Sequence, residues 1–323
     1  MNIVAYMLLG NEVELCKSVI AHTLSLGVDA FVVIDTASQD GTAALLSEYR
    51  TDPRFDITFL QHEQVYGENF LNLAELDQKV VARARQRFAA DWILRLDADE
   101  FLVNCGRPLK AICADCSVDQ ISVPRYNVVA RPGQPPLESL AAEGRIAEVA
   151  AMVRPFPNEG LRTRTRTRLP LNFSRVGHKS LTRAQALHGF AVGGHNGLDQ
   201  EGRTLQSRIS DELASLHFWF TSEARFVRKS GFIRSIENTV MRDSTLGWQW
   251  TRWGGVSRDG AHALNAEFRA QIPSPEQYEI LRAQGRVAEG DGIAAAIRAQ
   301  GTQTPWDDAA RIAEDLEALG WDQ

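Results

Sequence analysis

The sequence predicts an α/β chain with a mostly parallel, Rossmann-like central sheet flanked by helices, followed by a less regular half and C-terminal helices. Three observations carry this expectation. Short apolar runs alternate with helical patterns through the first hundred residues. Each run is nearly continuous in apolar character, as a strand covered on both faces must be. Each also ends abruptly in small polar or acidic residues, where an open parallel sheet holds its ligands.

The elements follow in order. Ile3 to Leu9 is the first strand, and Leu15, Val19, Ile20, Leu24 and Leu26 form the inward side of a helix stopped by Gly27. Ala30 to Ile34 is the second strand. Ser38 is the expected cap of a helix through Ala43, Leu45, Leu46 and Tyr49. Phe55, Ile57 and Phe59 alternate as a third strand, Leu71 to Ala90 reads as one long helix, and Trp92 to Leu96 forms a fourth strand. Beyond it the regularity fades. A strand is expected over Ile121 to Val129, a loop or lid over Arg131 to Pro136, and helices from Pro273 onward. The expected division is a core over 1–130, a site-completing region over 131–255 and a helical appendage over 256–323.

Composition narrows the function. A chain of 323 residues, 44% hydrophobic and 24% charged, can bury a sizeable core and is not a disordered polymer. The net charge of −6 argues against a nucleic-acid-coating protein, so an anionic ligand must be held locally. Four cysteines are too few for a disulfide scaffold, and Cys105, Cys113 and Cys116 lack a fourth zinc ligand at suitable spacing, so buried thiols are expected. Ile3 to Leu9 has no basic flank and runs straight into Gly10, Asn11 and Glu12, unlike a signal peptide. With no stretch of about 20 apolar residues, a cytoplasmic location is expected, with peripheral contact at the inner membrane face compatible with it. No G-x-G-x-x-G follows the first strand and no P-loop is present, against dehydrogenases and P-loop enzymes.

The chemistry gathers at strand ends. The first strand delivers Gly10, Asn11 and Glu12; the second Asp35, Thr36, Ser38, Asp40 and Gly41; the fourth Asp97, Asp99 and Glu100. Asp97 and Asp99, separated by Ala98, make a hard oxygen pair suited to Mg²⁺ or Mn²⁺, and a cation bridging a diphosphate relieves their repulsion. A nucleoside diphosphate is the ligand this implies. The plainer reading is that these acids cap the turn that follows them.

Leu9-Gly10-Asn11-Glu12, the run Val33-Ile34-Asp35-Thr36-Ala37-Ser38-Gln39-Asp40-Gly41-Thr42, and Trp92 to Phe101 together resemble the nucleotide-sugar glycosyltransferases of the GT-A fold, family 2-like. Gly177-His178-Lys179, Gly193-Gly194-His195-Asn196 and Leu216-His217-Phe218 are shorter matches. The resemblance implies a GT-A-like fold and transfer of a sugar from a nucleotide diphosphate donor to a hydroxyl acceptor, a glycan or lipid-linked glycan, with inversion. The setting it implies is surface polysaccharide or lipopolysaccharide synthesis. Carried over, Asp35 meets base or ribose, Asp97 ribose or metal, and Asp99 the cation. Glu100, a catalytic candidate, orients the donor or an arginine, or else only forms a supporting salt bridge.

Other candidates have rival readings. Asn11 and Glu12 are donor contacts or the cap and first-turn acid of the first helix. His217 is a late metal ligand or a satisfied core histidine; His195, among glycines, is a donor or acceptor contact. Lys229 and Arg225 pair with phosphate or lie solvated. Asp211 and Glu212 are candidate general bases, with Asp199 and Glu201 as rivals. The Arg162 to Arg168 ladder grips an acidic acceptor, meets anionic lipid or edges a solvated strand. Trp248, Trp250 and Trp253 stack on sugar or fill a core. Two alternatives stand beside transfer: a metal-dependent phosphohydrolase or nucleotidyltransferase, and a non-catalytic nucleotide- or carbohydrate-binding module.

Overall fold

The computed structural model describes residues 1–66, 72–157, 169–230, 248–300 and 309–321. They divide into two compact units, each assembled from two stretches of chain: 1–125 with 177–216, and 126–176 with 217–323. The units are therefore not consecutive segments of sequence.

The first unit is built on a seven-stranded sheet. Its strands are β1 (Ile3–Leu9), β2 (Ala30–Asp35), β3 (Phe55–Phe59), β4 (Trp92–Arg95), β6 (Gln120–Val123), β9 (Lys179–Arg183) and β12 (Ser207–Ile209), in the order β3-β2-β1-β4-β9-β6-β12. β1 pairs in parallel with both β2 and β4, and β2 with β3. β12 pairs in parallel with β6, while β9 runs antiparallel between β4 and β6. β5 (Glu100–Asn104) lies beside β13 (Leu213–His217), and β10 (Gly189–Phe190) forms a short hairpin with β11 (Gly197–Leu198).

Burial explains the apolar runs. Val4, Tyr6, Val32, Ile34 and Ile93 alternate onto one face and receive Val80, Val81 and Ala84 of helix α4 (Leu73–Phe88). Ile3, Ala5, Met7, Phe31 and Val33 point to the other face and are fully buried too, as are Cys16, Val19 and Ile20 of α1 (Cys16–Ser25). This is the α/β architecture expected, a mostly parallel sheet flanked by helices. Four details differ. α1 begins at Cys16 with Leu15 as its cap residue, so Asn11 and Glu12 precede the helix and do not cap it. α2 (Thr42–Ser47) is entered through Gly41 at φ 99°, a left-handed conformation that glycine adopts without strain, while Ser38 turns to Asp35. The expected long helix is α4 alone, opened by Asn72, and a five-residue helix α3 (His62–Tyr66) precedes it. The strand expected over Ile121 to Val129 is broken by Pro124, which lacks an N–H, into β6 and β7 (Arg125–Val129).

In the second unit β7, β8 (Ala150–Met152) and β14 (Val287–Glu289) form an antiparallel run. The helices of the C-terminal stretch include Trp248–Arg258, Ala261–Ala270, Pro275–Ala283, Asp291–Gln300 and Ala309–Ala318. Tyr278, Leu281, Leu319 and Trp321 pack with Val129, Met152, Phe156 and Phe173. A second cluster joins Trp253 to Phe220, Phe226 and Leu264, so Trp253 fills a core from a helix. The Arg162 to Arg168 ladder lies outside the described residues, and so do the side chains of Trp248 and Trp250. All four cysteines are buried free thiols; burial pushes Cys113 up to about 12. Among the described residues no helix is long and apolar enough to cross a membrane.

Candidate functional site

Strand order places the site. β2 and β3 follow β1 to one side while β4 lies on the other, so the order reverses at β1, and ligands settle beyond the carboxyl ends of strands at such a reversal. Leu9 is level with Asp35, and Tyr6 with Arg95, two residues before Asp97. Asp35 and Asp97 thus leave the same sheet edge on either side of β1, at a lateral separation of about 10 Å from two strand spacings.

The β2 end is stitched to the β1 end. Ser38 Oγ donates to Asp35 and accepts from the Asn11 N–H at 2.9 Å, and Asn11 Oδ1 accepts from the Gln39 N–H at 2.7 Å. Asn11 holds φ at 58°, a left-handed conformation that asparagine tolerates better than most residues. The Glu12 N–H donates to Thr42 Oγ1 at 2.9 Å. Asp40 closes the turn, accepting from Thr42 N–H at 3.0 Å and Val13 N–H at 3.1 Å. These residues shape the loop around Asp35. Burial raises the Asp35 carboxyl against the two Ser38 hydrogen bonds that lower it. A cavity of about 480 Å³ opens against it, lined among others by Asp35, Ser38, Arg50, Phe59, Gln61 and His62.

The β4 end is an ionic cluster. Asp97 Oδ2 meets Lys179 Nζ at 2.5 Å and Arg125 Nη1 at 3.8 Å, and its Oδ1 lies 3.4 Å from Arg95 Nη1. Fully buried Glu100 is paired with Arg125 at 2.7 Å and lies 3.8 Å from Lys179. Burial raises the Asp97 carboxyl, but Lys179 and Arg95 outweigh it and hold it well below the usual carboxylate range. Burial pushes Glu100 upward, with Lys179 and Arg125 opposing. Glu100 is thus the partner of Arg125.

His195 stands in the same unit. Its Nδ1 is 2.6 Å from the His178 carbonyl, which fixes Nδ1 as the protonated nitrogen. A Cβ at Gly193 or Gly177 would overlap the imidazole, so those glycines admit the ring. Burial, followed by the charge of Arg125, lowers His195 to about 4, leaving it neutral near pH 7. Gly194, at φ +70°, likewise leaves no room for a Cβ beside the Arg95 side chain.

Several expected residues are not brought to this cluster. Glu212 pairs with Arg107 at 3.1 Å, and its carbonyl accepts from the Cys105 N–H. Cys105 lies five residues beyond Glu100 along an extended strand, about 16 Å at 3.3 Å per residue, so Asp211 and Glu212 sit away from the acids. Asp199 and Glu201 pair with Arg203 in an exposed turn. In the second unit, His217 is 5% exposed with Nδ1 2.8 Å from Asn127 Oδ1, and its ring leans on Trp219 at 5.1 Å. Arg225 is not solvated: it is buried and donates to the Phe218 and Trp219 carbonyls at 3.0 and 3.1 Å. Lys229 is partly buried on the helix that begins at residue 223.

For a divalent cation the turn between β4 and β5 offers the Asp99 carboxylate, 4% exposed and with contacts of its own, while the Asp97 oxygens face lysine and arginine. Among the described residues no group of three or more His, Cys, Asp or Glu side chains converges as a metal site. Sequence reasoning missed Arg95 and Arg125 as partners of these acids, and treated Lys179 only as part of a short match. The available signal was a charged residue at one end of each of these strands, which burial obliges to find a counter-charge.

The fold is thus of the α/β class, with a mostly parallel central sheet flanked by helices. No protein-family model matches the sequence, and no curated protein does. Among solved structures, S. aureus TarS 1-349 is similar with 12% identity and a TM-score of 0.40, covering 93% of this chain and 91% of that one. TarS 1-349 in complex with UDP-GlcNAc gives 11% identity and a TM-score of 0.36 over 93% and 91%. HddC from Yersinia pseudotuberculosis gives 12% and 0.25 over 40% and 59%.

Proposed function

We propose that the chain transfers a sugar from a nucleoside diphosphate donor to a hydroxyl acceptor. The observation that carries this reading is the placement of Asp35 and the Asp97–Ala98–Asp99 run on either side of β1, at the reversal of strand order. The cavity against Asp35 offers room for a nucleobase or ribose, with the Asp35 carboxylate as hydrogen-bond acceptor. Asp97 accepts from the donor's hydroxyls. Asp99 would hold a Mn²⁺ or Mg²⁺ ion, whose charge would neutralise a diphosphate leaving group. Arg95, Arg125 and Lys179 add positive potential on the same side.

The acceptor we infer is a glycan or lipid-linked glycan of a surface polymer, reached by a single inverting displacement, at the inner face of the membrane. His195, neutral in its buried place, contacts donor or acceptor through its ring edge.

Calorimetry with UDP, GDP, CDP and dTDP, with and without Mn²⁺, tests the reading. At least one nucleoside diphosphate should bind, and bind at least tenfold tighter with the ion. Failure of all four to bind overturns it. With the matching donor, release of intact nucleoside diphosphate together with a glycosylated acceptor marks glycosyl transfer; release of nucleoside monophosphate with sugar phosphate marks pyrophosphate hydrolysis, and release of sugar phosphate with a nucleotidylated acceptor marks nucleotidyl transfer.

A further inference from the structure

The segment from Ala191 to Gly197 is fastened to the sheet at several points. From β9, Lys179 Nζ donates to the Gly193 carbonyl at 3.2 Å and Ser180 Oγ to the Gly194 carbonyl at 3.1 Å. Gln120 of β6, fully buried, donates to Asn196 Oδ1 at 3.2 Å and accepts from the Gly197 N–H at 2.6 Å. The Ala191 N–H closes the loop on the Asn196 carbonyl at 2.8 Å. His195 is thus held by its neighbours on both sides, and its ring is fixed by the bond from Nδ1–H to the His178 carbonyl.

The other ring nitrogen is not used. With the proton on Nδ1, Nε2 carries a lone pair, and among the described residues no donor meets it. On that edge stands Gly193, exposed and without a side chain; a Cβ there would lie 2.6 Å from Nε2. The lone pair is therefore open on the glycine side. A half-buried acceptor without a donor is a cost that a ligand hydroxyl would remove. Burial, then the positive charges of Arg125 and Lys179, keep the ring neutral, with Asp97 opposing. A donor's diphosphate would offset those two cations and raise the ring's affinity for a proton. The acids offer no such open acceptor: Asp97 and Glu100 hold the same cations, Glu212 pairs with Arg107, and Asp199 with Arg203.

We propose that His195 is the catalytic base of the transfer, its Nε2 taking the proton of the attacking hydroxyl. The inference rests on the proposed function and deepens it by naming the group that activates the acceptor. As the acceptor oxygen bonds to the anomeric carbon, its proton passes to Nε2. The bond from that carbon to the diphosphate oxygen breaks, and its electron pair leaves with the diphosphate. The imidazolium then returns its proton to water.

Two measurements on the full chain test this. Diethyl pyrocarbonate, which acylates an unprotonated imidazole nitrogen, should mark His195 at neutral pH in peptide mass mapping; a folded chain unmarked there overturns the open lone pair. For turnover, the sugar nucleotide matching the nucleoside diphosphate that binds in calorimetry is supplied with water as the acceptor. His195→Gln should slow release of the diphosphate about 100-fold or more while leaving diphosphate binding within threefold. His195→Gly should be as slow and recover at least tenfold with added imidazole, which a purely structural histidine would not allow. The proposal is overturned by a His195→Gln rate within threefold of the native one, by a binding loss as large as the rate loss, by a folded His195→Gly variant that imidazole does not rescue, or by a native chain that releases nothing. If His195→Gly does not fold, His195→Gln with its binding control decides alone. Failure of every nucleoside diphosphate to bind sinks the functional reading itself; binding with undiminished turnover in His195→Gln sinks this inference and leaves that reading standing.

Discussion

The Tyr6 hydroxyl donates to Asp77 Oδ1 at 2.9 Å while the Arg95 guanidinium lies over the ring of the same tyrosine, 4.6 Å from its centroid. One side chain therefore ties α4 to the arginine that faces Asp97. Tyr6→Phe keeps the ring but leaves a buried carboxylate short of a donor, which costs about 1–3 kcal/mol. The urea midpoint should fall accordingly. Tyr6→Leu should fall further, since the cation–π contact goes as well.

Asp77 sets a pH dependence of its own. Burial raises its carboxyl above the free value, although Tyr6 and Arg95 oppose the rise. A folded-state value above the unfolded one contributes stability that is present below the unfolded value and lost as pH rises through the folded one. At pH 7 the ionised group is a net cost, so Asp77→Asn, which still accepts from Tyr6, should match or exceed the native chain. The gap should close as pH drops into the carboxylate range. Thermal melts at several pH values read this directly.

His195 works in the opposite sense. Its imidazole is lowered to about 4, against about 6.5 for a free histidine. Between those values the unfolded chain takes up a proton that the folded chain refuses, so stability is present above about 6.5 and lost as pH falls toward 4. His195→Asn should remove up to one proton from the slope of unfolding free energy against pH in that window. An unchanged slope, measured by urea titrations, would contradict the buried neutral ring.

Asp35 is the residue to change for ligand recognition. Asp35→Ala should weaken nucleoside diphosphate binding at least tenfold, about 1.4 kcal/mol, in calorimetry. Ser38→Ala, which removes the hydroxyl that orients the carboxylate, should cost less.

Asn127 offers a test in the second unit. Its Oδ1 accepts from His217 Nδ1, and its Nδ2 donates to the Asn172 carbonyl at 3.0 Å. Asn127→Leu strands both partners and should destabilise the chain by about 1–3 kcal/mol. In nuclear magnetic resonance the His217 ring should lose its fixed tautomer.

The strands that carry Asp35 and Asp97 were legible because each is a continuous apolar run with an abrupt polar end, and burial on both faces demands that pattern. β5 was not, since Glu100 opens it and the run Asp97 to Glu100 reads as a turn. The fracture at Pro124 was readable in principle from proline's missing donor, yet the flanking Val123 and Tyr126 hid it in apolar character. The partners of the acids were least legible. Lys179 reaches Asp97 from 82 positions along the chain, on a strand inserted against the local direction, and no local spacing encodes such a meeting. Asp211 and Glu212 misled for the converse reason: closeness in sequence to His217 says nothing about which end of β5 they reach.

The return of residues 177–216 to the first unit bears on synthesis. On the ribosome, β4 must wait with one side unpaired while more than eighty further residues emerge, because its neighbour β9 is translated only after the first stretch of the other unit. The nascent chain thus carries a buried-type, apolar strand exposed for seconds at ordinary elongation rates, the interval in which a chaperone has most to protect.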